Sequence, residues 1–380
     1  MSKYRIAWLP GDGVGNDVMD AARIVLDAMH FDAEYIPADI GWEFWCTEGD
    51  PLPQRTIDIL NDTDCALFGA ITSKPRDAAH EELAPELKEK PLVYFSPIVR
   101  LRQLFNLHTN LRPCKAYPGN PLNYRDDIDL VVFRENTEGM YGGVEFFPLP
   151  EHVYDALCAN PKMKKWKNVG LENVALSTRI MSVGGCESIC KQAFEYAETH
   201  NRQSVTLLEK PNVLRETGGL MTRIFRDVSK RYDGIEAWEA NIDAIMMWLV
   251  KNPQDYDVLV AENMFGDIAS DLAAGLVGGL GFASAANIGD DYAVFEPTHG
   301  SAPKYAGKYV VNPIAMLLTV KLMFDWLGEE EAAANLEAAV ASVIAEGNVG
   351  TYDIKGRGNG DSTLEVAEEV ARKVTAGATA

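Results

Sequence analysis

Positive charge is scarce in this chain: 35 Lys and Arg stand against 56 Asp and Glu, a formal net charge of −21. That balance argues against nucleic acid and anionic membrane surfaces as partners, and any anionic substrate must be met by arginines gathered locally. Long apolar runs are also missing; none approaches the roughly 20 residues of a membrane span. Met1-Ser2-Lys3-Tyr4 leads straight into a strand-like run with no signal-peptide core. Cysteine is sparse. The six, at positions 46, 65, 114, 158, 186 and 190, form no C-x-x-C pair, so we read reduced, buried thiols in a cytoplasmic protein rather than zinc ligands. No G-x-x-x-x-G-K-[ST] phosphate loop occurs. Gly11-Asp12-Gly13-Val14-Gly15 places its last glycine one residue too early for the dinucleotide fingerprint and reads as a tight strand-to-helix turn.

What is present is ample core material, 47% hydrophobic with seven Trp and fourteen Phe, in 380 residues. That length exceeds what one core usually supports, so two domains or one two-lobed unit are expected. Apolar runs at 4–10, 65–70, 130–134, 174–180, 205–209 and 258–261 read as strands. Helical patterns at 17–29, 187–200, 220–232 and 242–251 lie between them, an α/β order with much parallel sheet. Residues 141–170, rich in Pro, Lys and aromatics, break the rhythm and read as an excursion over the site or toward a partner. Helices follow at 312–327, 330–346 and 363–374, and the tail 376–380 is expected to fray.

The most informative stretch is Asn263-Met264-Phe265-Gly266-Asp267-Ile268-Ala269-Ser270-Asp271. Helical spacing puts the Asp267 and Asp271 carboxylates on one face, about 5–6 Å apart at Cβ. A divalent cation relieves their repulsion, and oxygen-only donors suit Mg²⁺ or Mn²⁺. The plainer alternative is an acidic helix start favoured by the macrodipole. Arg100, Arg102, Arg112 and Arg134 cluster within thirty-five residues, and arginine grips carboxylates two-pronged, so a polycarboxylate substrate is expected. Tyr141 sits in a glycine-containing turn and can present its hydroxyl to a ligand. Lys210 ends a strand, either as a base with lowered pKa or as a gatekeeper. The loop from Glu296 through His299, Lys304 and Tyr305 to Gly307 carries groups that can meet adenine and phosphate.

Leu9-Pro10-Gly11-Asp12-Gly13, Asn110-Leu111-Arg112-Pro113, Phe133-Arg134-Glu135-Asn136-Thr137-Glu138, Gly266-Asp267-Ile268-Ala269-Ser270-Asp271 and His299-Gly300-Ser301-Ala302-Pro303 together resemble the isocitrate/isopropylmalate dehydrogenase family. The match runs in order from residue 4 to about 353. The resemblance implies a non-Rossmann, two-domain α/β fold with the active site in the interdomain cleft. A large cofactor domain would comprise 1–107 and 278–380, and a small domain 108–277 would carry the dimer interface and a clasp or arm at about 139–182. It also implies substrate carboxylates on Ser96, Arg102, Arg112 and Arg134, with Tyr141 as proton donor and Lys210 assisting deprotonation. Mg²⁺ or Mn²⁺ would bind Asp243, Asp267 and Asp271, with Lys210 and Asp243 reaching the neighbouring site of a homodimer. Cofactor contacts would fall on Thr72, His299, Gly300, Lys304, Tyr305, Asn312 and Tyr352. Regulatory, non-catalytic members lose such residues; this chain retains them.

Two choices remain open at this stage. Ser96 matches the serine that isocitrate dehydrogenases set against a third carboxylate, yet Ile98 replaces their asparagine, and Ser96-Pro97-Ile98-Val99 looks more like homoisocitrate dehydrogenases. Isocitrate is placed first, homoisocitrate second, and an isopropylmalate- or D-malate-type acid third. Arg100 fits none of these patterns and is either an extra cation or solvent-facing. For the cofactor, Lys304-Tyr305 stands where NAD-linked relatives carry Asp-Ile, which favours NADP⁺ over NAD⁺, supported by Tyr352. Gly356, flanked by Lys355 and Arg357, and Asn252 occupy positions where that pocket has arginines.

Overall fold

The computed structural model describes residues 2–377. Twelve strands form: β1 (Tyr4–Gly11), β2 (Ala33–Pro37), β3 (Cys65–Ala70), β4 (Thr109–Lys115), β5 (Asp129–Glu135), β6 (Glu145–Phe146), β7 (Leu176–Ser177), β8 (Ser204–Glu209), β9 (Glu236–Asn241), β10 (Val258–Ala261), β11 (Ser284–Ile288) and β12 (Ala293–Pro297). Ten of them make one sheet in the order β2-β1-β3-β12-β11-β4-β5-β10-β8-β9. β2, β1, β3 and β12 run parallel, as do β5, β10, β8 and β9; β11 and β4 sit between the two sets, each antiparallel to both its neighbours. Strand direction therefore reverses in the middle of the sheet, and a ligand crevice is expected beside such a switch.

Strands β3, β8 and β10 read as continuous apolar runs because both their faces are covered. Helices Val14–Ala28, Ile314–Trp326, Glu330–Glu346 and Thr363–Gly377 pack on the β1, β3, β11 and β12 half through Ile6, Val18, Leu67, Phe295, Met323, Val340 and Val370. In the other half, Val131 and Phe133 face a core with Phe194, Val205 and Phe225, while Leu130 and Val132 face one with Ile245, Leu259 and Ala269. That strict alternation puts Arg134 on the same face as Leu130 and Val132, toward the helix Asn263–Leu276.

One sequence expectation needs correction. Residues 174–180 give only the two-residue β7, paired with β6 in a separate ribbon, because this stretch is the return leg of the excursion and has no place in the main sheet. Much of the main sheet is parallel, as expected, and the exceptions are β4 and β11, which run against their neighbours. The excursion has a small core of its own, Leu149, Tyr154 and Val174. Of the tail expected to fray, residues 376 and 377 close the helix Thr363–Gly377, and 378–380 lie outside the described residues.

Candidate active site

β4 turns Asn110 and Arg112 to one face, β5 delivers Arg134 at its end, and the helix Pro97–Leu104 supplies Arg102. All three guanidinium groups are buried. Arg134 donates from Nε and Nη2 to Asn263 Oδ1, at 3.0 and 2.7 Å, and from Nη1 to Asp267. Gly266 permits this approach: a Cβ there would lie 2.7 Å from the Arg134 Cβ. Arg112 Nη1 lies 3.2 Å from Asp267 and 3.3 Å from Asp271, so both carboxylates converge on one positive centre. Tyr141 donates its hydroxyl to Asp267 Oδ2 at 2.8 Å, and its ring stands 5.2 Å from the Arg134 guanidinium carbon.

The electrostatics of the cluster are uneven. Burial, then the neighbouring Arg112 and Arg102, push Arg134 down to about 9 against the pull of Asp267. Burial acts to raise Asp267, yet Arg134 and Arg112 outweigh it and hold the carboxyl below its usual range. Asp271 goes the other way, raised by burial and by Asp267 although Arg112 opposes the shift. Burial, then Asp267, raise the Tyr141 phenol, so it keeps its proton at neutral pH. Three crowded cations against these aspartates make a cleft that gains by accepting anionic oxygens.

Arg102 is set by a buried polar network that sequence reasoning missed. Asn287 Oδ1 accepts from Arg102 Nε at 2.9 Å, Asn110 Nδ2 at 2.7 Å and Asn136 Nδ2 at 2.9 Å. Glu296 accepts from Arg102 and from Asn287, and Asn110 in turn accepts from Arg112 Nε at 2.6 Å. No local signal could have found it, because its members come from five separate segments. Ser96 is half-buried and caps no N–H of the helix it precedes. Two neighbours do not join the site. Arg100 pairs with Asp50 at 2.8 Å and donates to Leu52 O, so it neither enters the cleft nor simply faces solvent; it ties the helix Pro97–Leu104 to a loop. Ile98 packs in the core with Leu9, Phe68 and Leu101.

Lys210, just after β8, and Asp243, in the first turn of the helix Ile242–Lys251 that follows β9, form an ion pair with each other and hydrogen-bond to neither Asp267 nor Asp271. Among the described residues no three His, Cys, Asp or Glu side chains gather as a metal cluster within one chain. Asp267 and Asp271 nonetheless fit a hard cation: both are oxygen donors, and they share one focus at Arg112.

A second hollow, a cavity of about 300 Å³, lies between the turn after β1 and the loop after β12. His299, Gly300, Tyr305, Asn312 and Tyr352 line it. His299 Nδ1 lies 3.1 Å from Gly300 O, which assigns the proton to Nδ1 and leaves Nε2 an acceptor, buried and without a partner. Burial lowers this histidine, so it is neutral and fit to accept from a purine amino group. Tyr305 and Tyr352 stand 5.9 Å apart with Lys304 over the Tyr305 ring; Tyr352, then Lys304, lower the Tyr305 phenol. Asn312 donates to Asp353 at 3.1 Å. Thr72 is fixed at the hollow's edge, its N–H on Asp12 at 2.7 Å and its hydroxyl 2.6 Å from that of Ser301. Gly13, at φ +57°, is obligatory here, since a Cβ would meet Ser301 O at 2.1 Å.

The arginine- and aspartate-lined cleft and the separate hollow of about 300 Å³ acquire an enzyme class from the family match: a nicotinamide-linked dehydrogenase of small acids. Residues 5–370 match the isocitrate/isopropylmalate dehydrogenase family, and the chain belongs to that family of NAD(P)-dependent β-decarboxylating enzymes. It is 39% identical to the 3-isopropylmalate/3-methylmalate dehydrogenase of Methanocaldococcus jannaschii, over 98% of this chain and 99% of that one. The crystal structure of isocitrate dehydrogenase from Methylococcus capsulatus superimposes with a TM-score of 0.85 at 35% identity, covering 98% and 99% of the two chains. Protein DlpA of Legionella pneumophila is 40% identical over 96% of this chain, which spans 58% of that protein's length. Relatives at similar identity thus bear different substrate names, and family membership leaves the substrate open. No helix among the described residues is long and apolar enough to cross a membrane.

Proposed function

We propose that the chain oxidatively decarboxylates isocitrate to 2-oxoglutarate with NADP⁺ and Mg²⁺ or Mn²⁺. The observation that carries this reading is the half-buried Ser96, whose hydroxyl caps no N–H, beside the buried arginines Arg102, Arg112 and Arg134, which would hold the carboxylates common to the family's substrates. A third carboxylate can accept from that hydroxyl, and an apolar branch cannot. Ile98 packs in the core, and its departure from the isocitrate pattern keeps homoisocitrate as the second reading.

Asp267 and Asp271 would hold the cation, with Asp243 supplied by a second copy. Bound there, the cation supplies Lewis acidity toward the substrate hydroxyl and the ketone it becomes. The arginines hold and orient the carboxylates. Lys210 of a second copy would take up the hydroxyl proton, and the nicotinamide cofactor, when bound, would supply the hydride acceptor. Once CO₂ departs, Tyr141, protonated at neutral pH, delivers a proton to the enolate carbon.

A homodimer with shared sites accounts for the placement of Lys210 and Asp243. Edge strand β9 is open on one side, and Trp238, Met247, Trp248 and Val250 beside it are exposed, a patch that a second copy would cover. We take residues 1–107 with 278–380 and residues 108–277 as the two domains, and 139–182 as the arm. Co-expression of Lys210→Met with Asp267→Asn chains should therefore give about a quarter of wild-type activity, because mixed dimers keep one intact site each. Activity at the level of either variant alone would show that the sites are not shared.

NADP⁺ is favoured by Lys304, Tyr305 and Tyr352 at one end of the hollow. Lys355 is committed to Asp361 at 2.8 Å and to Asn348 O, whereas Arg357 is in no ion pair among the described residues and is close enough to act on Tyr305 and on Tyr352, whose phenol burial nonetheless raises. Arg357 is thus the cation available for a 2′-phosphate. Lys304→Asp with Tyr305→Ile is expected to lower kcat/KM for NADP⁺ by ~10–100-fold relative to NAD⁺, the loss of one or two charge-assisted hydrogen bonds. A wild-type enzyme that already prefers NAD⁺ would overturn the NADP⁺ reading.

A further inference from the structure

A second cluster of buried charge lies beside the cleft without lining it. Glu209 ends β8 immediately before Lys210, and Glu262 ends the stretch after β10 as the N-cap of the helix that carries Asp267 and Asp271. Both glutamates are 1% exposed. Between them stands Arg179, from the return leg of the arm. Its Nη2 lies 2.8 Å from Glu209 and 3.5 Å from Glu262, and its Nη1 donates to Thr217 at 3.0 Å. Its guanidinium carbon stands 5.0 Å from the Phe265 ring, and its Nε is buried with no partner.

Each glutamate has a second task. Glu209 Oε1 accepts the backbone N–H of Lys210 at 2.8 Å. Glu262 accepts the N–H groups of Phe265 at 2.9 Å and Met264 at 3.3 Å, which fixes the first turn of the aspartate-bearing helix. Two buried carboxylates this close repel, and one guanidinium joins them. Burial, then Glu209, already raise Glu262 despite Arg179.

We infer that Arg179 is a positioning residue that sets the Lys210 strand end and the Asp267/Asp271 helix relative to one another. Resting on the proposed metal-dependent reading, it makes the arm, the lysine and the cation-holding aspartates one mechanical unit. Without Arg179 the bridge between the two carboxylates is gone, so the strand end and the helix start are no longer tied, and the two aspartates lose their common focus even where the repulsion is removed. The elements that carry Arg102, Arg112 and Arg134 are other segments, so their guanidinium groups stay in the cleft even where Arg112 and Arg134 lose part of their contact with the aspartates.

The test measures Mn²⁺ binding to metal-free protein by titration calorimetry, with kcat and KM, for wild type, Arg179→Lys, Arg179→Gln and the double variant Arg179→Gln with Glu209→Gln. Arg179→Gln should weaken Mn²⁺ and lower kcat by ~10–100-fold, as losing a residue behind a metal ligand does, while KM for isocitrate changes little. Arg179→Lys should recover part of both. The double variant, which removes the repulsion, should melt near wild type yet keep weak Mn²⁺ binding. Calorimetry separates this from misfolding, which lowers the number of sites and leaves their affinity unchanged. Wild-type affinity in Arg179→Gln, or full recovery in the double variant, would overturn the inference. Failure of wild type itself to bind Mn²⁺ would instead overturn the metal-dependent reading on which it rests.

Discussion

Asp267→Asn is expected to lower turnover on the order of 10³-fold, roughly 4 kcal/mol of barrier, the scale of a lost electrostatic stabiliser. Its carboxylate serves three partners at once: Tyr141 at 2.8 Å, Arg112 at 3.2 Å, and Arg134. Asparagine keeps one accepting oxygen for Arg134, so the fold should survive; the negative charge that attracts a cation is gone. Chelation of the wild-type enzyme by EDTA should reproduce the loss, and Mn²⁺ should reverse it only where Asp267 is intact. Full activity after chelation would remove the assignment of these aspartates to a metal.

Arg134→Met should cost both function and stability. Removing a buried guanidinium placed to grip a substrate carboxylate should reduce kcat/KM by ~10²–10⁴-fold, with much of the change in KM. The variant also leaves Asn263 Oδ1 without its two donors and takes one of the cations that hold Asp267 below its usual range. Thermal melts should therefore fall below wild type without ligand, and further below it with saturating isocitrate. A variant that melts as wild type and binds isocitrate normally would contradict this account.

The parts of this design that could be read from sequence are those set by local spacing. Asp267 and Asp271 are one helical turn apart, and the structure brings both to Arg112. Runs such as β3, β8 and β10 announce themselves because both faces are apolar. β4 does not, since one face presents Asn110 and Arg112 to the cleft and its only sustained apolar face is short. β9 is an edge strand of exposed residues, and β11 and β12 are short and rich in small side chains, so none of the three carries a strong period.

Arg100 and Ile98 teach a different lesson. Ile98 is three residues from Leu101, with which it packs in the core, and four from Arg102, which enters the buried network of the cleft, so one helix face serves both. The helical period alone therefore does not tell which of the two Ile98 joins. The Asn287 network and the Arg179 cluster lay beyond sequence reasoning altogether. Asn287 is 151 residues from Asn136 and 185 from Arg102, and only the closing of the mixed sheet makes them neighbours.

The most direct test of the central claim is a substrate panel on the purified protein with Mn²⁺, following reduced cofactor and CO₂ together. Isocitrate, homoisocitrate, 3-isopropylmalate and D-malate would each be supplied with NADP⁺ and with NAD⁺. The account predicts one CO₂ released per cofactor reduced, with kcat/KM highest for isocitrate with NADP⁺ and at least ~10-fold above 3-isopropylmalate, about 1.4 kcal/mol of discrimination. A preference for 3-isopropylmalate would contradict the reading of three arginines and Ser96 as a tricarboxylate site.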